Sequence, residues 1–157
     1  MYLLAVVWIA MLSIMPPSHY TGAWDRVPER HRSLVQSIHV DRDSGGQSRR
    51  STMSVHLTPR GNDGQLWHEV GNIVAYSDPK LEADWCRRFW RGGRPIGTLP
   101  SSYPVQAEAK DEGQGCPEDF ADSYKEMLEH GCLEDPGRSR FMRDRVFRPG
   151  EVSACQP

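Results

Sequence analysis

The sequence lacks a charge excess of either sign. It carries 21 acidic and 19 basic side chains over 157 residues, for a formal net charge of −2. A histone-like or strongly polybasic protein is therefore excluded, because binding a polyanion through bulk charge needs a large basic surplus. The length corresponds to one domain, which also excludes a multidomain enzyme.

Aliphatic residues are scarce after the first 23 residues. Leu, Ile, Val and Phe together contribute 23 of the remaining 134 residues, a share of about 17%, which is low for a globular core. Four tryptophans in this part each supply a large apolar area. We expect such a small core to need covalent cross-links for stability.

The sequence has one long hydrophobic run, Leu3–Met15, interrupted by a single serine. As a helix it would span about 20 Å, too short for a bilayer core of about 30 Å. Pro16 and Pro17 follow at once and would end any helix. The run is typical of a secretory signal peptide, and the small residues that follow it predict cleavage after Ala23. We therefore expect a secreted, extracellular protein without stable membrane insertion.

This reading divides the chain into three segments, of which residues 1–23 are the predicted signal peptide. Residues 24–50 are predicted to form a loose arm, a first strand and a flexible loop. That loop ends in the dibasic pair Arg49-Arg50, and cleavage after Arg50 by a convertase of the secretory route would make the segment a pro-segment. Residues 51–157 are predicted to form the cross-linked domain, and they contain every cysteine.

Metal-binding motifs are also missing. No CxxC or HxxxH spacing is present, so a tetrahedral zinc site would have to be built from scattered residues. His68-Glu69 begins like the zinc-protease motif HExxH, but Asn72 stands where the second histidine must be. The PCxxC sequence of zinc deaminases is also absent downstream. We predict no metal and no other cofactor.

The chain contains four cysteines: Cys86, Cys116, Cys132 and Cys155. An even number in a secreted chain indicates two disulfides. A helix predicted over 117–130 would hold Cys116 and Cys132 about 24 Å apart, whereas a disulfide needs Cα atoms within about 7 Å. Pairing of these two is therefore excluded. The pairings 86–116 with 132–155 and 86–132 with 116–155 both remain open. The first is favoured because neighbouring cysteines then pair in order.

The hydrophobic pattern predicts an α+β fold that contains a small antiparallel β-meander. Alternating residues at 33–40 and 52–58 indicate strands. Residues 65–76 indicate two further strands around a Gly71-Asn72 turn, or one bulged strand.

Two amphipathic helices are predicted to pack against this meander. The first is capped by Ser77 or Asp78 and ends before Gly92, and the second spans 117–130 and ends at Gly131. The two disulfides would then staple the helical half of the chain.

The remaining segments are less regular. Residues 94–115 are predicted to be a connection with short strands at most, at 96–99 and 103–109. Residues 140–148 are predicted to form a final strand.

Three histidines lie one on each predicted strand: His39, His56 and His68. If those strands pair side by side, the imidazoles share one open face with Glu69. Such a group, with an arginine, would suit a small ribonuclease, which needs a base, an acid and a cation near the reacting phosphate. A secreted ribonuclease-like hydrolase is therefore an alternative function, although no ribonuclease motif is present.

Arginine exceeds lysine by 16 to 3 and is concentrated in residues 86–94 and 138–148. Arginines interleaved with aromatic residues can grip phosphates or carboxylates and can stack on bases. Trp90, Arg91 and Arg94 are the predicted centre of a partner-binding surface, because Arg and Trp dominate interface hot spots. If both segments formed one basic face, a nucleic-acid-binding protein that enters host cells or nuclei would be a further alternative. The acidic residues between the segments would otherwise pair with them inside the molecule.

In outline the chain resembles the small secreted cysteine-containing effector proteins of plant-pathogenic fungi. The resemblance rests on residues 1–23, the four cysteines and the dibasic pair Arg49-Arg50, and it covers general architecture only. It implies a protein that is exported to act on a host by binding a host protein. The first functional hypothesis is therefore a secreted, non-enzymatic protein that binds a host or extracellular partner through a disulfide-fixed surface.

Overall fold

The computed structural model describes residues 15–42 and 46–155, and its fold is α+β with two disulfides, as predicted. The helices are α1 (Thr21–Arg26), α2 (Glu29–Arg32), α3 (Asp63–Ser77), α4 (Pro79–Phe89), α5 (Tyr103–Lys110), α6 (Gly115–His130) and α7 (Pro136–Phe141). The strands are β1 (Ser37–Val40), β2 (Gln47–Arg49), β3 (Ser54–Leu57), β4 (Trp90–Arg91) and β5 (Arg94–Pro95). A 3₁₀ turn, Ser18–Tyr20, precedes α1, and a π-helical turn, Met142–Val146, follows α7.

The larger sheet has three strands in the order β1-β3-β2. Strand β3 is antiparallel to β2 but parallel to β1. The strands predicted within 33–40 and 52–58 are present, but their connection differs from a simple meander. The segment predicted as a flexible loop contains β2, and β2 pairs with the edge of β3 that faces away from β1. The chain therefore passes from β1 across the sheet to β2 before it returns as β3, and this crossover allows β1 and β3 to be parallel.

Residues 65–76 are helical, so the strands predicted there are wrong. Asn62 caps α3, since its side chain accepts a hydrogen bond from the backbone N–H of Gln65 at 3.0 Å. Leu66 and Val70 are four residues apart on one face of this helix and are fully buried.

Helix α3 packs against α6 in the centre of the molecule. Gly71 lies where the two helices cross. A Cβ atom built there would be 3.0 Å from both the Ala121 Cα and the Tyr124 Cβ. A close approach of two backbones, and not a turn, is therefore the reason for glycine at this position.

Both predicted amphipathic helices are present as α4 and α6. The Asp78 side chain accepts hydrogen bonds from two backbone N–H groups in the first turn of α4. Gly131 ends α6 in the left-handed conformation, with φ of 77°. Trp85 of α4 packs edge-on against Phe120 of α6, with ring centroids 5.5 Å apart.

The disulfides join Cys86 to Cys116 and Cys132 to Cys155, with Cα–Cα distances of 5.5 and 5.1 Å. The favoured pairing is therefore confirmed. The first disulfide ties α4 to the first turn of α6. The second ties the segment after α6 to the C-terminal segment.

Two other predicted strands are helical instead. Residues 103–109 lie in α5, and residues 140–148 include the end of α7 and the π-helical turn. The side chain of Asp135 caps α7 by accepting from the backbone N–H groups of Gly137 and Arg138. This cap starts a helix that continues into the segment predicted as a strand.

The loose arm was predicted at the start of the segment 24–50. Residues 24–32 belong to α1 and α2 instead, and Trp24 and Val27 are buried in the core. Ala23 is also buried, and its carbonyl accepts a hydrogen bond from the Trp67 Nε1–H at 2.9 Å. Cleavage after Ala23 stays a prediction, although it would cut α1. The hydrophobic run that led to it lies, except for its last residue, outside the described residues.

Among residues 15–42 and 46–155, no helix is both long enough and apolar enough to cross a membrane.

Candidate functional site

A cavity of about 570 Å³ opens between α3, α5, α6 and β2. Helix α3 supplies most of its chemistry, because it carries polar residues on the face opposite its buried apolar residues. The principal lining residues are His68, Glu69, Asn72 and Tyr76 from α3, Tyr103 from α5 and Glu118 from α6. Tyr76, Tyr103 and Glu118 belong to no sequence motif that indicates a site, whereas His68, Glu69 and Asn72 stand in the incomplete HExxH pattern.

His68 forms part of the wall and is held between two carboxylates. Its Nδ1 is 2.9 Å from Asp122 Oδ1, and its Nε2 is 2.8 Å from Glu118 Oε2. Burial alone would lower the pKa of His68, but the hydrogen bonds to Asp122 and Glu118 outweigh it and raise the pKa to about 10. His68 is therefore an imidazolium at neutral pH, and both of its ring nitrogens donate.

Asp122 is held in its ionised form by the same contacts. Burial would raise its pKa, but the hydrogen bond from His68 lowers it, with help from the Ser101 hydroxyl, which also donates to this carboxylate. Ser101 lies just before α5. The His68–Asp122 pair thus fixes three elements, α3, α6 and the start of α5, around the cavity.

The pKa of the Glu69 carboxyl group is shifted in the opposite direction from that of Asp122. Its side chain is buried in the cavity wall, and burial raises its pKa, although the neighbouring His68 cation opposes the rise. A carboxyl group that keeps its proton to higher pH than usual can donate that proton to a bound molecule.

One oxygen atom in a residue that lines the cavity is buried without a partner. The Oδ1 of Asn72 has no hydrogen bond to any of the described residues, whereas the hydroxyl of Ser48 lies beside the Glu69 carboxyl group and lowers its pKa by hydrogen bonding. Native proteins rarely leave buried polar atoms in this state, so each such atom needs an explanation.

The rim of the cavity combines an aromatic ring with charges of both signs. Tyr103 is 49% exposed and meets His68 edge-on, with ring centroids 5.8 Å apart. The cations His68 and Lys110 face the carboxyl groups of Glu69, Asp111 and Glu118. The cavity therefore offers hydrogen-bonding groups and one aromatic face, with at most one excess negative charge.

His39 and His56 do not join this site. They are paired in register on β1 and β3, and their rings stack with centroids 4.7 Å apart. Ser48 of β2 is paired with Val55 and lines the cavity, so the neighbouring His56 points to the opposite face of the sheet.

The predicted cluster of three histidines with Glu69 is therefore not formed. Only His68 accompanies Glu69, because residues 65–76 are a helix that covers one face of the sheet. His56 instead forms hydrogen bonds to Ser54 and Asp41.

Trp90 is not available at the surface, although it was placed at the centre of the predicted partner-binding group. Its side chain is buried, and its indole N–H donates to Asp119 Oδ2 at 2.8 Å. Arg91 and Arg94 are exposed and pair across the β4–β5 hairpin. Two arginines of the predicted group thus remain open to a partner.

The aromatic residues of the arginine-rich segments are in the core. Phe89, Phe141 and Phe147 are all buried, which removes the stacking platform that single-stranded nucleic acids use. Arg138 is also fully buried and binds Asp119 at 2.9 Å. This part of the arginine-rich sequence therefore pairs with acidic α6 inside the molecule.

The dibasic pair lies at the end of β2. Arg50 forms a salt bridge with Glu82 at 3.1 Å and lies over the Tyr76 ring, 5.1 Å from its centroid. Cleavage after Arg50 stays a prediction. It would separate the chain that forms β1 and β2 from the chain that forms β3.

One exposed group of the described residues, Glu126, Glu129 and His130, brings possible metal-ligand atoms within 4.8 Å of one another. It does not line the cavity, and exposed acidic groups of this kind are common on helices without a metal.

No family model, curated protein or solved structure matches this chain. The function is therefore argued from the site alone.

Proposed function

We propose that this chain is an exported, non-enzymatic binding protein that holds a small, hydroxyl-rich ligand in the cavity between α3, α5, α6 and β2. The observation that carries the proposal is the unpartnered buried oxygen Asn72 Oδ1 in the wall of the cavity. A ligand hydroxyl would supply the missing donor after a small rotation of the Asn72 amide, at a site that is otherwise preformed.

The remaining lining favours a neutral ligand of the saccharide or polyol class. The lining has two cations, His68 and Lys110, and three carboxyl groups, so it carries at most one excess negative charge and does not select a strongly charged ligand. Carboxylates, amides and tyrosine hydroxyls are groups that can bond to several ligand hydroxyls at once. The half-exposed Tyr103 ring can pack against the apolar face of a sugar ring.

Export is supported by the two disulfides, which form and persist outside the reducing cytosol. Cys116 lies two residues before Glu118 on α6, so the bond to Cys86 fixes one wall of the cavity covalently. In this proposal the protein acts outside the producing cell, on a host or extracellular partner that presents the ligand.

The proposal includes a mature chain that retains Tyr20. This side chain is fully buried, and its hydroxyl donates to the Thr58 carbonyl at 3.2 Å. We therefore expect the exported protein to begin before Ser18, upstream of the cleavage predicted after Ala23. N-terminal sequencing of the protein exported by a eukaryotic secretory host tests this, and a start at Trp24 would contradict it.

Binding is tested by saturation-transfer NMR with glucose, xylose, N-acetylglucosamine and their β-1,4-linked oligomers. We expect at least one oligomer to bind the wild-type protein, and Asn72→Leu to weaken that binding by about tenfold. The variant should still fold, because the oxygen that is removed has no partner in the free protein and the loss of the Asn72 hydrogen bond to Glu69 costs only about 1 kcal/mol.

Val105→Ala is the matched control, because Val105 is exposed on α5 and does not line the cavity. It should leave binding unchanged. Absence of binding by every probe, or equal binding by wild type and Asn72→Leu, would refute the proposed function.

The raised pKa of Glu69 favours a second candidate function, an acid-catalysed hydrolase acting on the same class of ligand. Glu69 would give its proton to the leaving oxygen of a glycosidic bond, while a water molecule adds to the anomeric carbon and releases a proton to the solvent, from which Glu69 is reprotonated. Activity on aryl glycosides should then fall as the pH rises through the raised pKa of Glu69. Glu69→Gln should abolish turnover but keep binding. If the wild-type protein binds the saccharide but does not hydrolyse aryl glycosides, the hydrolase function is refuted and the binding function is retained.

A further inference from the structure

A second, smaller cleft lies between α4 and the end of α7, with a volume of about 230 Å³. It is lined by Asp84, Arg87, Arg88, Phe141 and Arg145. None of these residues lines the cavity described above. The cleft is where the two arginine-rich segments of the sequence meet.

The cleft contains three arginines but only one carboxylate. Arg87 and Arg145 both form salt bridges with Asp84, the second at 3.2 Å. Arg88 has no carboxylate within salt-bridge distance among the described residues. The cleft therefore holds three guanidinium groups against one acid, a local charge of +2.

The guanidinium groups are held in place by an aromatic floor. Arg88 and Arg145 lie over the Phe141 ring, 5.5 and 5.6 Å from its centroid. Phe141 is buried and packs edge-on against Trp85 at 5.2 Å. Because Phe141 is held by its packing in the core, the side chains of Arg88 and Arg145 are partly preorganised for binding a ligand.

We propose that this cleft binds a phosphate monoester group. Such a group carries a charge of about −1.5 to −2 at neutral pH, which matches the surplus of +2. Guanidinium groups bind phosphate oxygens through paired hydrogen bonds. The single carboxylate of Asp84 cannot accept from all the N–H groups of three arginines, so donors remain for a phosphate group. The cleft has room for the phosphate group, and the buried aromatic ring offers no face for stacking a base.

The proposal does not depend on the proposed function, because the two sites share no residue. It is tested by titrating the full chain, labelled with ¹⁵N, with inorganic phosphate and with phenyl phosphate at pH 7.5 and constant ionic strength. Phosphate should shift the side-chain signals of Arg87, Arg88 and Arg145. If phenyl phosphate binds more tightly than inorganic phosphate, the physiological source is an ester.

Arg88→Gln should weaken phosphate binding by about fivefold, and Arg88→Gln combined with Arg145→Gln should weaken it more. Both side chains are exposed, so these variants should fold. Arg94→Gln is the matched control, because Arg94 is an exposed arginine that lies outside the cleft. It should leave the affinity unchanged.

The charge of the ligand gives a second readout. Lowering the pH from 7.5 to 5 protonates a phosphate monoester, whose second pKa is about 6, and should weaken its binding. Sulfate keeps its charge over this range and serves as the comparison ion. Equal binding of sulfate and phosphate at both pH values, or an equal loss in Arg94→Gln, would overturn the proposal in favour of a diffuse positive surface.

Discussion

Two buried histidines, His31 and His68, have opposite charge states at neutral pH. His31 on α2 is 2% exposed, and its Nδ1 is 2.9 Å from the Tyr124 hydroxyl. Burial lowers the pKa of His31 to about 4, and the nearby Arg30 cation adds to the effect. His31 is therefore a neutral core residue.

His68 is also largely buried, but its two partners are carboxylates, and its pKa is raised to about 10. The comparison shows that the charge of the partners decides the charge of a buried imidazole when burial is similar. His31 is thus a neutral residue of the core, whereas His68 is a charged residue in the wall of the cavity.

The largest expected effect comes from removing the charge of His68. His68→Gln removes the cation that bonds both the buried Asp122 and the partly buried Glu118, and leaves Asp122 with only the more distant Lys125, at 3.9 Å. The free energy of unfolding should fall by about 3–5 kcal/mol, as for other broken buried ion pairs. Urea denaturation at pH 7 measures it.

His31→Gln is the control for this prediction, because it removes an uncharged ring. It should cost only about 1–3 kcal/mol, since only neutral hydrogen bonds, to the Tyr124 hydroxyl and the Val146 backbone, are lost. Equal losses for the two variants would contradict the assignment of opposite charges.

Alkaline pH should remove the stabilising effect of the charged His68. Because the pKa of His68 is raised above its unfolded value of 6.5, its contribution is fully present below pH 6.5 and is lost as the pH rises through about 10. The difference in unfolding free energy between wild type and His68→Gln should shrink from pH 7 to pH 10. A constant difference would count against a charged His68.

Acid pH should act through His31. Because its pKa is lowered from 6.5 to about 4, the unfolded chain binds a proton first, and stability falls as the pH drops from 6.5 to 4. The loss should be about 3 kcal/mol, at about 1.4 kcal/mol per pKa unit. Denaturation curves of wild type and His31→Gln test this, because only wild type should show the loss.

The smallest effect is expected for Tyr124→Phe, which removes the hydroxyl near His31. The cost should be about 1 kcal/mol, the typical contribution of one hydrogen bond. The pKa of His31 should remain low, because burial is its main cause. NMR titration of the imidazole checks this, and a return to the ordinary value would show that Tyr124 controls the charge.

The sequence predicted the parts of the fold that local chemistry determines. The cap at Asp78, the stop at Gly131 and the disulfide order are confirmed, because each depends on residues close together in the chain or on the length of one helix. Asp135 followed by proline has the same form as Asp78 followed by proline. It could have predicted α7 in the same way.

The site could not be predicted because it depends on tertiary packing. Val70, Ile73 and Val74 favour strands by propensity, and Gly71-Asn72 is typical of a turn, yet burial against α6 makes this segment a helix. The strand interpretation brought His68 together with the wrong histidines. Nothing in the local sequence pairs residue 68 with carboxylates about 50 residues further along the chain.

The missing side chain at Gly71 has a consequence for how this site can change. Even a methyl group there would press on the backbone of Ala121, which cannot rotate aside as a side chain can. Helices α3 and α6 would be forced apart, and both bonds of His68 to α6 would lengthen together. Position 71 lines neither the cavity nor the cleft described above. A single substitution there would therefore change the acidity of the site without changing any residue that lines it.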